Sequence, residues 1–271
     1  RERSMDPGDL RGEMVDSLEE QLSIDEAVAL AMRSVPRQEF VDDAPYSNRA
    51  EEAAGTTVLA PETVARLLTA LDVDSPDGGP TDRDGDPRDD ATTADDPGDI
   101  LVVGAGVGYT AALLAELLGE RHVHAVDIDR RLVYAARSNL DSAGYGGVLV
   151  DARDGASGLP EYAPFDRILV EAAAISPPRA LIEQLSPGGR LVLPLGGPEQ
   201  TLTAVDDDGD VIDRHGPVAF KPLLVDGEQR GRPARNRTVR EDIERQEEPG
   251  YFAKTGWEQE WIDWDEQLRR R

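Results

Sequence analysis

Apolar and polar positions change rhythm several times along this chain. Over residues 18–34, LEEQLSIDEAVALAMRS, the apolar residues Leu18, Leu22, Ile24, Val28, Ala31 and Met32 recur at helical spacing and predict one stripe on a helix. VPRQEFV (35–41) breaks that period and reads as a short linker. A second helix is predicted from Pro61 over PETVARLLTALDV, because proline suits a first helical turn, where its missing N–H would have had no partner. Residues 74–99 are rich in Asp, Gly and Pro with almost nothing apolar. Such a stretch buries too little surface to offset the entropy of ordering, so an acidic disordered insert is expected over 74–98.

From Asp99 the period alternates between extended and helical. DILVVG, HVHAVD, VLVDA and RILVEAAA read as strands; YTAALLAELLG, RRLVYAARSNLDSAG and PPRALIEQLS read as helices. PGGRLVLPLG is a turn and a strand, and QTLTAVDDDGDVIDRHGPVAFKPLL reads as a hairpin around Asp208-Gly209. Strands alternating with helices predict an α/β fold: a doubly wound, mainly parallel Rossmann-like sheet, closed by a C-terminal antiparallel hairpin.

The first of these strands runs into a glycine turn, ILVVGAGVGYTAALLAEL (100–117), with Gly104, Gly106 and Gly108 in the spacing G-x-G-x-G. The dinucleotide fingerprint is G-x-G-x-x-G. Tyr109 occupies the place of its third glycine, which disfavours a nicotinamide enzyme. The G-x-G-x-G spacing is the pattern of S-adenosylmethionine sites, and a tight turn that binds nothing is the plain structural alternative. Asp127 ends the second strand, where a carboxylate can accept hydrogen bonds from both hydroxyls of a ribose. Asp154-Gly155 follows the third strand; its carboxylate could meet an adenine amino group, or the pair could be only a turn.

Composition narrows the class. The 271 residues carry 55 acidic against 29 basic side chains, a net charge of −26, and the only lysines are Lys221 and Lys254. A nucleic-acid partner is not expected without a basic face to neutralise phosphate. The excess fits a high-salt interior, where ions screen the repulsion. With no cysteine, disulfides, thiolate metal sites and a cysteine nucleophile are excluded. No apolar run is long enough to span a membrane and the polar N-terminus is not a secretory signal, so a cytoplasmic, monomeric protein is the expectation. His122, His124 and His215 are too dispersed for a metal site and read as structural.

With these pieces in place the chain resembles the protein-L-isoaspartate O-methyltransferases, class I S-adenosylmethionine enzymes that repair aged aspartyl and asparaginyl sites. The resemblance covers about residues 20–226. It rests on VPRQEFV (35–41), GTTVLAP (55–61), LVVGAGVGYTAALLAEL (101–117), PEYAPFDRILVEAAA (160–174), PPRALIEQLSPGGRLVLPLG (177–196) and FKPLL (220–224). It implies S-adenosyl-L-methionine as cofactor, with Gly104, Ala105, Gly106 and Gly108 at its methionine end. Asp127 and Ile128 would sit at the ribose, Asp154 and Gly155 at the adenine, and Gln200 near cofactor and substrate. It also implies an N-terminal helical cap and substrate wall (1–60), a cofactor-binding core (61–226) and a C-terminal extension (227–271). The departures lie mostly in the wall. Leu59 stands where the family shows serine, Val102 replaces an acidic residue before the first glycine, Arg153 replaces a glycine, and Glu171 stands where a small or hydroxylated residue is usual.

The implied reaction is attack by an isoaspartyl carboxylate on a sulfonium methyl. The carboxylate is already ionised at neutral pH, its free pKa being about 4, so no general base is needed and positioning carries the catalysis. Thr57 is the candidate positioning hydroxyl, with Thr56 the alternative. Two other readings stay open: a related methyltransferase with another carboxylate or protein substrate, and a non-catalytic relative that binds the cofactor and recruits partners. Trp257, Trp261, Trp264 and Leu268 share one face of a predicted C-terminal helix, which either packs on its own domain or docks a partner.

Overall fold

The computed structural model describes residues 6–73 and 97–224. The expected insert and the tryptophan-bearing tail lie outside the described residues.

The chain opens with helices α1 (Pro7–Gln21) and α2 (Glu26–Ser34). The single stripe expected over 18–34 is therefore split. The backbone is extended at Leu22 and again at Asp25, the residue before α2, and Leu18, Val28, Ala31 and Met32 still reach one core from two helices. A small hairpin that the periodicity did not predict follows: β1 (Glu51–Ala53) paired antiparallel with β2 (Thr56–Val58). Then come α3 (Pro61–Leu71), β3 (Ile100–Val103), α4 (Tyr109–Leu118), β4 (Val123–Asp127), α5 (Arg130–Ala143), β5 (Leu149–Ala152) and β6 (Phe165–Val170). The helix expected over PPRALIEQLS shrinks to α6 (Arg179–Ile182), because the chain must already extend at Leu185 to enter β7 (Leu185–Gly196). β8 (Gln200–Val205) and β9 (Val211–Val218) close the fold.

The predicted sheet is the observed one. Seven strands lie in the order β5-β4-β3-β6-β7-β8-β9. β5, β4, β3, β6 and β7 are parallel, while β8 and β9 are antiparallel additions. All four β3 residues are buried: Ile100 and Val102 face a core shared with α1–α5, and Leu101 and Val103 face a second core with Phe165, Leu181 and Leu223. That is why the strand reads as an unbroken apolar run. After β3 the chain steps outward through β4 to β5, then returns to place β6 on the other side of β3. The crevice at the carboxyl ends of β3, β4 and β6 is thus the switch point where open α/β sheets bind ligands.

Arg37 fastens the N-terminal cap to this core. Its guanidinium is 1% exposed, donates to the carbonyls of Pro45 (2.8 Å) and Leu59 (2.7 Å), and lies 4.4 Å from the centre of the Tyr109 ring. One side chain so joins the linker, the end of the β1–β2 hairpin and the start of α4. Burial pulls its pKa down, with partial compensation from Tyr109. Among the described residues no helix is long and apolar enough to cross a membrane.

Two stability predictions follow from these contacts. Arg37→Lys keeps the charge but loses the planar fork and the ring stacking, and should cost about 2 kcal/mol in denaturant unfolding. Ala54 sits at φ 50 and Gly55 at φ 78 in the β1–β2 turn. Ala54→Asn, a residue that tolerates the left-handed region, should stabilise by about 1 kcal/mol, read as a raised midpoint in the same experiment.

Candidate active site

The site starts from the turn between β3 and α4. Gly104, Gly106 and Gly108 have φ of 92, 53 and 94, a left-handed region that L side chains rarely adopt. Gly108 also has a packing reason: a Cβ there would lie 3.3 Å from both the Cβ and the carbonyl oxygen of Ala136 on α5. Four of the turn's amides are spent within the protein. Gly104 and Ala105 both donate to the Val126 carbonyl (2.8 and 3.0 Å), Gly106 donates to Asp127 Oδ2 (3.0 Å), and Gly108 donates to the Ala105 carbonyl (2.8 Å). A pyrophosphate needs such donors pointing outward. This turn instead offers bare main chain beside carboxylates, which suits a ligand carrying positive charge.

Asp127 is 8% exposed at the end of β4. Its Oδ2 takes the Gly106 amide, and its Oδ1 takes the Asp129 amide at 2.9 Å. These two bonds fix the carboxylate plane at the mouth of the crevice. A carboxylate can accept about four hydrogen bonds, so this orientation is compatible with diol recognition. Ile128, the next residue, is half-buried at the same edge. The loop after β5 is tied to it by the Arg153 amide, which donates to the Asp127 carbonyl at 3.0 Å. Within that loop Asp154 accepts from the Ala156 amide (2.9 Å) and so caps the single turn Gly155–Ser157. Gly155 is required by contact, since a Cβ would fall 2.3 Å from Val103 Cγ1.

On the opposite side stands the β1–β2 hairpin. The Thr56 methyl faces Gly106, 3.9 Å from where a Cβ would be. Thr57 points elsewhere: its hydroxyl donates to Glu52 Oε1 and accepts from the Lys221 ammonium, each at 2.7 Å. Lys221 is placed by its own main chain, whose carbonyl accepts from the Ala173 amide (2.9 Å) just beyond β6. Gln200 acts one step back. Its side-chain amide exchanges two hydrogen bonds with the Phe220 backbone, at 2.7 and 3.0 Å, and so holds the segment that carries Lys221. Leu59 packs on the main core, and its carbonyl is the one held by Arg37.

Glu171 completes the crevice. It follows β6, its amide donates to the Val103 carbonyl (2.8 Å), and its Cβ lies 3.5 Å from where a Cβ on Gly104 would be. Burial raises its pKa to about 7, against a hydrogen bond with Thr110 that lowers it; Asp127 adds to the rise. Its Oε1 is shut away from solvent with no hydrogen-bond partner among the described residues.

The structure thus gathers Gly104, Ala105, Gly106, Gly108, Asp127, Ile128, Asp154 and Gly155 at one sheet edge, with Thr57 on the facing hairpin and Gln200 behind it. Two residues carried no assignment from sequence reasoning. Lys221 had a signal in the scarcity of lysine, and Glu171 in being a carboxylate at the end of a buried strand. The histidines sit apart. His122 Nδ1 lies 3.0 Å from Asp99, and His124 lies between Tyr162 and Phe165, where burial lowers its pKa. Among the described residues no group of three or more potential ligands could hold a metal.

Comparison with known proteins agrees with this architecture. Residues 94–229 match the family model described as protein-L-isoaspartate(D-aspartate) O-methyltransferase. The chain is 37% identical over 232 residues to the protein-L-isoaspartate O-methyltransferase of Azoarcus sp. strain BH72, covering 83% of this chain and 97% of that protein. It is 42% identical over 208 residues to the enzyme of that name from Aeropyrum pernix, covering 72% and 71%. Among solved structures, a Plasmodium falciparum protein described as a protein-L-isoaspartate O-methyltransferase, crystallised with S-adenosyl-L-homocysteine, superposes with a TM-score of 0.63. That match covers 79% of this chain and 97% of the other, and at 20% identity it speaks for the fold. The switch-point crevice, the acid-flanked glycine turn and these alignments lead to one conclusion: the chain belongs to the protein-L-isoaspartate O-methyltransferase family.

Proposed function

We propose that this protein transfers a methyl group from S-adenosyl-L-methionine to the carboxylate of L-isoaspartyl residues in damaged proteins. The observation that carries the reading is the crevice itself: a glycine turn and two acids on one side, a hydroxyl and a lysine ammonium on the other. The residues fit the cofactor. Asp127 would take the ribose hydroxyls, with Ile128 against the nucleoside. Asp154 and Gly155 line the adenine end, and Gly104 to Gly108 line the methionine end. The cofactor, when bound, supplies an electrophilic methyl on a sulfonium. Transfer to a carboxylate that is already ionised would need no general base from the chain.

The chain's own residues then have a positioning task, which is where rate is to be gained when the nucleophile is already ionised. Thr57, its own proton given to Glu52, acts as a positioning residue that holds the Lys221 ammonium. Lys221 offers a positive charge to an anionic substrate on a protein whose net charge is −26. That same excess of acid suits function in concentrated salt, where screening weakens the repulsion of an anionic peptide. Gln200 serves the site through Phe220 and Lys221. A nicotinamide reading loses support, since Tyr109 stands where the third glycine of a dinucleotide turn would sit.

The test is methyl transfer from labelled cofactor in molar potassium chloride. A peptide with an isoaspartyl linkage should yield volatile methyl ester and its normal aspartyl twin should not; equal labelling, or none with the cofactor bound, would remove the repair reading. Lys221→Met should raise KM for the isoaspartyl peptide by about tenfold with cofactor affinity unchanged, the loss of one charge-assisted contact. Leu59→Ser should raise turnover at some cost in thermal stability, since it restores a wall hydroxyl but removes an apolar contact with the core; a fall in turnover would mean that the hairpin end does not face substrate.

A further inference from the structure

We propose that Glu171 is a cofactor-binding residue of this protein, its carboxylate receiving the positive charge of the methionine part of S-adenosylmethionine beside Gly104. The inference rests on the methyltransferase reading and adds to it a residue outside the assigned set.

Three observations carry it. Glu171 stands at the carboxyl end of β6, directly against the first glycine of the turn, at the switch point of the sheet. Its Oε1 is buried with no hydrogen-bond partner among the described residues, a costly state for a carboxylate unless a ligand completes it. Among the described residues the groups acting on Glu171 include no cation. The α4 helix contributes the Thr110 hydroxyl, β4 contributes Asp127 with its like charge, and β3 contributes main chain at Val103. The Lys221 ammonium is engaged with Thr57 and lies 3.9 Å from Glu52. A buried carboxylate next to another acid favours its neutral form; an arriving cation reverses that preference.

The cofactor brings two cations, a sulfonium and an α-ammonium, and its demethylated product keeps only the ammonium. Binding to a group that titrates at about 7 in the empty site should therefore expel a proton near neutrality. The sign is set by the raised pKa: the empty site holds the proton below that value, and the ligand binds the ionised form. Affinity should rise with pH, by about tenfold from about pH 6 to about pH 8 if only the ionised form binds.

Calorimetry on the full chain in molar potassium chloride tests this, with titrations in phosphate and in Tris, whose ionisation heats differ. The expected result is release of a fraction of a proton on binding S-adenosylmethionine. Release with S-adenosylhomocysteine as well would place the ammonium at Glu171, and release with S-adenosylmethionine alone would place the sulfonium there. Glu171→Gln should bind the nucleoside with a flat pH profile and no proton release. The same binding heat in both buffers, or an unchanged pH profile in Glu171→Gln, overturns the role of Glu171 and leaves the methyltransferase reading standing. No heat with either nucleoside overturns both.

Discussion

The structure depends on how the turn after β3 is bolted to the end of β4. Three successive amides, from Gly104, Ala105 and Gly106, point at Val126 and Asp127. That arrangement requires positive φ at Gly104 and Gly106, and it lets α4 begin close enough to α5 that Gly108 meets Ala136. It also decides what the crevice can recognise. The turn presents glycine surface, and Asp127 is aimed by the same bonds that close the turn.

The second half of the site hangs on Arg37 and Lys221. Arg37 carries the geometry of the glycine helix, through Tyr109, to the end of the β1–β2 hairpin, through Leu59. A buried guanidinium with its partners in place holds two segments in fixed relation, whereas surface ion pairs contribute little. Lys221 is held by the edge of β6 and by Gln200 acting through Phe220. Asp127 and Glu171 lie on the glycine-turn side of the crevice, and on the facing side the Lys221 ammonium lies 3.9 Å from Glu52.

The sheet was legible in the sequence because its central strands β3 and β4 are buried on both faces and read as apolar runs, and because turns of Gly, Pro and Asp punctuate the strands. The glycine turn and Asp127 were legible for the same reason: a rare backbone conformation demands a rare residue, and a strand end has a fixed place in the topology. The β1–β2 hairpin was not. Its strands have three residues each, its outer positions are Glu and Thr, and Ala54 fills a turn position where Asn or Gly would have signalled positive φ. The break between α1 and α2 was hidden because Leu22 and Ile24 keep an apolar rhythm through extended backbone. Lys221 and Glu171 gain their meaning from tertiary neighbours, Thr57 across the crevice and Gly104 on the next strand, which spacing along the chain does not reveal.

The central claim is that the switch-point crevice holds S-adenosylmethionine with its sugar on Asp127 and its methionine part on the glycine turn. A crystal structure with S-adenosylhomocysteine, grown in concentrated salt, tests it most directly. The account predicts density running from Gly155 past Asp127 to Gly104, with both ribose hydroxyls on the Asp127 carboxylate. Density elsewhere on the fold, or a ribose turned away from Asp127, would contradict it.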